Sequence, residues 1–161
     1  MLRSLVGSEM CIRDRIYRTS QRVTDDPFAP KPADQKREER ERAVEILYEA
    51  EVKGVLAEEI LESQVVALGA AVGELVKGVS EDVEAIDAEI DAYLNEGWSL
   101  DRLGILDLWI LRLGVFELMS QRAPIAVVIN EAVELGNRFG ATDESGRFIN
   151  GVLGSVAREL K

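Results

Sequence analysis

Lys36, Arg37 and Arg40 stand in the run Lys36-Arg37-Glu38-Glu39-Arg40-Glu41-Arg42. On a helix, that spacing puts Lys36 with Arg40, and Arg37 with Arg40, on neighbouring ridges. Cations so placed can hold phosphates, and an arginine plane can stack on an unpaired base. Pairing with Glu38 and Glu41 within the helix explains the same cations without any ligand. Tyr48, two turns beyond Arg40, reads either as a stacking platform or as a half-buried core tyrosine. Towards the other end of the chain lies Arg147-Phe148-Ile149-Asn150-Gly151-Val152-Leu153. Neither Arg147 nor Asn150 has a reason to sit in a core. Gly151 costs a helix about 1 kcal/mol relative to alanine, so it reads as a point of tight helix packing.

Catalytic chemistry has little to work with. The chain has no histidine, which removes the commonest general base and the commonest metal ligand together. Its lone cysteine, Cys11, can form neither an internal disulfide nor a zinc site, and this fits a reducing cytoplasm. No Gly-rich phosphate loop is present. Carboxylate pairs such as Asp87 with Asp91 read as the solvated face of an acidic helix. No enzyme activity, cofactor or metal is expected, and recognition remains.

The net charge of −11 argues against holding nucleic acid by a broad positive field. Its distribution is uneven: residues 1–42 carry a net +2 and residues 43–161 a net −13. Any nucleic acid should therefore be met near the N-terminal end of the folded part. An acidic body also suits a basic protein partner, although solubility explains it with no partner at all.

The elements that must position these residues are helical. Asp34 can cap a helix running to about Val52, with Gly54 as its stop. A short helix over Ala57–Leu61 follows, then a stripe of Leu68, Val72, Leu75, Val76 and Val79. Ser80 can cap a helix carrying Val83, Ile86, Ile90 and Leu94 and ending at Gly97. After a turn at Leu100–Leu103, the segment to about Gln121 is apolar nearly all round, so it must be surrounded and forms the centre of the core. Pro124 suits the start of a helix reaching about Arg138. Ser145 can cap the last helix, with Ile149, Val152, Leu153, Val156 and Leu160 inward. Trp98 is expected to pack the helix junction and Trp109 to lie in the core. The fold class is all-α, a compact bundle of six to seven helices in one domain, residues 34–161. Residues 1–33 read as a disordered leader and Pro-rich linker. Part of that leader, Ser4–Arg15, resembles translated sequencing-adapter DNA and is expected to be non-native. No apolar run approaches the roughly 20 residues that cross a bilayer.

Five segments in order resemble the NusB family of transcription antitermination factors. They are Arg40–Tyr48, Trp98–Leu103, Ile110–Leu118, Ile129–Leu135 and Phe148–Leu153. The resemblance covers roughly Lys36 to Leu160 and implies two antiparallel bundles sharing the central helix. It also implies a function: binding a boxA-type single-stranded leader element of ribosomal RNA transcripts together with the ribosomal protein NusE. The pair would join an RNA polymerase antitermination complex in the cytoplasm. Lys36, Arg37 and Arg40 match the family's basic RNA-contacting positions, with Glu38 and Glu39 departing from its pattern. By position, the family's second contact maps onto Asp143, Glu144, Arg147 and Phe148, with Asn150 just behind, while Phe148 reads first as a core residue of the last helix. Carboxylates there would read exocyclic base amines rather than phosphates. A protein-interaction module without RNA binding, such as a homodimer, and a detached NusB-like domain of a ribosomal-RNA methyltransferase are the alternatives.

Overall fold

The computed structural model describes residues 29–160. The expectations for residues 1–28 lie outside that range. The chain divides into two units, Met1–Gln35 and Lys36–Lys161, and all but the first four residues of the helical body belong to the second.

Seven α-helices and a short 3₁₀ turn, with no strands, make up the described residues: α1 Pro32–Lys53, α2 Ala57–Glu62, α3 Ala70–Glu81, α4 Val83–Ala92, the turn Leu100–Arg102, α5 Ile105–Met119, α6 Ile125–Phe139 and α7 Ser145–Glu159. Helix α1 begins at Pro32, ahead of the anticipated Asp34, because proline tolerates the first turn, where its missing N–H would have no partner anyway. Gly54 stops it with φ +67°, while the N–H groups of Gly54 and Val55 bond the carbonyls of Glu51 and Ala50. That is a Schellman closure, which glycine adopts without strain.

Helix α5 is the shared centre. It packs against α3, α4, α6 and α7, and α1 reaches it through side chains. Ten of its residues are buried, eight of them Leu108, Ile110, Leu111, Leu113, Gly114, Val115, Phe116 and Leu118. The other two are Asp107 and Glu117, carboxylates that an apolar reading of the segment passes over. Every buried side-chain nitrogen and oxygen among the described residues has a partner, as burial of polar groups requires. The anticipated stripes of α3, α4 and α7 face inward, except that Leu160 is exposed and Val83 is only half-buried.

Local punctuation differs in two places. Ser80 lies within α3, its hydroxyl donating back to the Val76 carbonyl, and Asp82 takes the cap position of α4. Ser145 is the first residue of α7 rather than its cap. Its hydroxyl is buried, donates to Asp107 and accepts from the Thr142 N–H, so one tertiary and one local bond share it.

Candidate nucleic-acid interface

The opening of α1 is fastened to its neighbours by arginine–carboxylate pairs. Arg40 is buried and forks onto the buried Glu117 of α5, with nitrogen–oxygen distances of 2.8, 2.9 and 3.1 Å. Burial alone would lower its pKa, but the hydrogen bond and charge of Glu117 more than offset that and hold the guanidinium above its ordinary value. Arg40 is therefore a largely interior cation, 6% exposed, with its guanidinium taken up by Glu117. Helical spacing gives it a common side with Lys36 and Arg37, whereas the depth of each residue depends on what packs there.

Arg37 is half-exposed and bidentate to Glu131 of α6, both distances 2.9 Å. The bond from Arg37 holds the Glu131 carboxyl below its usual range. Further along the same seam, Arg138 of α6 donates to Glu41 at 2.8 and 3.2 Å. These pairs cross between helices rather than running along α1. Lys36 is exposed at the head of the seam. Tyr48, seven residues on from Glu41, returns to nearly the same side of the helix. It is 37% exposed, which excludes a fully buried role.

Helix α6 carries this seam to the start of α7. A Cβ on Gly136 would stand 2.5 Å from Ile149 Cδ1 and 3.3 Å from the Gly146 Cα, so the two helices touch closely there. At Gly140 a Cβ would meet Ser145 Cβ at 2.2 Å and the Gly136 carbonyl oxygen at 2.3 Å. Gly151, which reads in the sequence as the tight contact, has nothing within 4 Å of an added Cβ. The close approaches precede it because α7 meets α6 with its first turn, while Gly151 faces outward.

The α7 entrance brings the second group together. Asp143, Glu144, Arg147 and Asn150 are all exposed, and Arg147 lies 3.3 Å from the Glu144 carboxylate. Phe148 is half-buried and stacks on Trp98, with ring centroids 5.8 Å apart and planes inclined by 29°. Contrary to the expectation that it packs the helix junction, Trp98 is 54% exposed. It follows Gly97, whose φ of +86° turns the chain outward. Trp109, expected in the core, is only partly buried; its indole N–H donates to Glu51 and the Arg112 guanidinium lies 4.4 Å over its ring. Behind Phe148, Arg147, Asn150, Gly151, Gly154 and Arg158 line an open groove with Tyr93. Sequence reasoning missed Trp98, Arg138, Asp107 and Glu117. For the two carboxylates a signal existed, since a helix apolar on every side must bury whatever charges it carries. Among the described residues no cluster of His, Cys, Asp and Glu suits a metal ion, and no helix is long and apolar enough to cross a membrane.

This chain of contacts links a basic helix start, an ion-paired seam and an acidic, aromatic helix entrance. It can offer phosphates a few cations, and bases an aromatic face and carboxylate acceptors. The NusB family profile matches residues 37–158. The chain is 40% identical over 131 residues to the transcription antitermination protein NusB of Anaeromyxobacter dehalogenans, covering 75% of this chain and 89% of that protein. It is 48% identical over 87 residues to the NusB of Nitratiruptor sp., covering 54% and 61% respectively. Among solved structures, T. maritima NusB superposes with a TM-score of 0.70 at 34% identity, over 80% of this chain and 92% of that one. A complex of the antitermination factors NusB and NusE with double-stranded RNA contains a chain that superposes with a TM-score of 0.64 at 29% identity, over 77% and 96%.

Proposed function

The chain belongs to the NusB family, and from that membership we propose that it is a cytoplasmic, non-catalytic transcription antitermination factor. It binds a boxA-type single-stranded leader element of ribosomal RNA transcripts together with NusE, and the pair joins an antitermination complex on RNA polymerase. The observation that supports this reading most is the family match running from Arg37 to Arg158, which spans the basic helix start and the α7 entrance. The relative bound to NusE and RNA supports the choice of partners.

Within that reading, the exposed Lys36 and Arg147 meet phosphates, with the half-exposed Arg37 held beside them by Glu131, and Tyr48 and Phe148 offer ring faces. Asp143, Glu144 and Asn150 face base edges. Arg40 acts at one remove, fixing the height of α1 on α5. An acidic body with few outward cations should bind RNA weakly alone, so the partner's contribution is needed.

Electrophoretic shift with a boxA-containing RNA, with and without NusE, tests the proposal. A shift that is tightest with NusE present is expected. Lys36→Ala and Arg147→Ala should each lower the log–log salt slope by about 0.7 for every phosphate that the variant no longer holds. Because the RNA in the relative's complex is double-stranded, a duplex of the same sequence belongs in the comparison. A chain that binds NusE but neither RNA would be an interaction module, and the RNA reading would fall.

A further inference from the structure

Helix α6 ends on an arginine that belongs to neither the basic start of α1 nor the α7 entrance. Arg138 stands in its last turn, and the side chain is 52% exposed, against 24% for its partner Glu41. Glu41 lies one turn beyond Arg37 on α1. In the other direction, Arg138 precedes Gly140, where an added Cβ would stand 2.2 Å from that of Ser145, the first residue of α7. Arg138 thus occupies the ground between the head of α1 and the α7 entrance. Its guanidinium gives one N–H of Nη1 and one of Nη2 to Glu41, at 2.8 and 3.2 Å, and keeps its remaining donors. The Cζ atom lies 4.7 Å from the centre of the Phe139 ring, which steadies the plane of the fork. Two structural reasons for an arginine here, the dipole at a helix end and an exposed ion pair, are each weak. Neither uses the remaining donors.

We infer that Arg138 holds a backbone phosphate of the RNA where the strand crosses from the head of α1 to the α7 entrance. This rests on the RNA-binding reading and adds a third contact to it. Glu41 accepts on the inner edge of the fork and keeps it aimed, so the guanidinium loses little freedom when an anion arrives. The pairing also covers the carboxylate. On a body whose residues 43–161 carry a net −13, a bare Glu41 at this crossing would repel the backbone, whereas the pair presents donors. A contact to phosphate positions the strand without reading its sequence, so Arg138 sets the path between two contacts that lie on different helices.

The test titrates the full chain with single-stranded boxA-containing RNA, in the presence of NusE, over a range of salt. Arg138→Ala should weaken binding about tenfold at moderate salt, as the loss of one charge-assisted hydrogen bond does. It should also lower the log–log salt slope by about 0.7, while Arg138→Lys keeps the slope. Because Arg138→Ala uncovers Glu41, the double change Arg138→Ala/Glu41→Gln separates contact from shielding, and it should stay weak. Full recovery in the double variant overturns the contact and leaves Arg138 as a cover for Glu41. RNAs carrying a single neutral methylphosphonate linkage test the unaltered chain directly. One linkage should cost it that same factor, cost Arg138→Ala nothing more, and lie between the linkages assigned in this way to Lys36 and Arg147. Unchanged affinity and slope in Arg138→Ala, with RNA binding otherwise intact, overturn this contact alone. Weaker binding of NusE by Arg138→Ala without RNA also overturns it, in favour of a protein contact. Absence of RNA binding by the unaltered chain overturns both the contact and the function it rests on.

Discussion

Deleting the Arg40 side chain would leave the Glu117 carboxylate charged and unpaired inside the protein. Arg40→Ala should therefore cost about 3–5 kcal/mol in chemical denaturation, and the double change Arg40→Met/Glu117→Leu should recover most of it. If the double variant also binds RNA like the parent, Arg40 is a support rather than a contact; a single-variant loss below about 1 kcal/mol would mean that the pair is solvated. Two glycines make a second residue-scale contrast. Gly140→Ala forces a Cβ onto Ser145 and the Gly136 carbonyl, and should destabilise by roughly 1–3 kcal/mol. Gly151→Ala enters open space on an exposed helix face and should stabilise by up to about 1 kcal/mol. Thermal melting of both variants checks the pair, and an inverted order would return Gly151 to the packing role that its sequence context suggests.

At the scale of elements, α1 is held to α6 by Arg37–Glu131 and Glu41–Arg138, and to α5 by Arg40–Glu117. The Glu131 carboxyl is held below its ordinary value by Arg37. A depressed carboxyl pKa stabilises the fold above the unfolded value, about 4.3 for glutamate, and that stabilisation disappears as the pH falls through the folded value. Arg37→Ala should thus be less stable than the parent near neutrality, and the gap should close below about pH 4. Denaturant midpoints across that window measure it. A gap that persists unchanged in acid would assign the effect of Arg37 to packing. The same seam sets what α1 presents to RNA: with Arg37 engaged and Arg40 interior, Lys36 is the outward cation of the original three.

For the whole molecule, the helical body from Pro32 onward contains the entire family match. A chain beginning at Pro30 should melt within a few degrees of the full length and bind RNA and NusE equally. A large fall in melting temperature would show that residues 1–29 contribute to the core. The charge balance acts at this scale as well. Residues 43–161 carry a net −13, so specific binding has to come from a few placed groups and a partner rather than from the field of the protein.

What the sequence determined by itself was the order and character of the elements. The period of Val72, Leu75, Val76 and Val79, the glycine at 54 and the all-round apolar run of α5 each follow from local chemistry, and each stands where the pattern puts it. The family resemblance likewise needs only the linear order of its segments. Tertiary structure decided depth and partnership. Arg37 and Arg40 look alike in the sequence, yet one meets Glu131 at the surface and the other Glu117 in the core, because helix spacing fixes direction and the neighbouring helices fix burial. Trp98 and Trp109 are likewise legible as large apolar residues, but the exposure of one and the indole bond of the other depend on residues 50 and 58 positions away. Gly151 misleads for the same reason. A glycine in a helix announces a cost, and only the facing surface shows whether anything is close enough to require it.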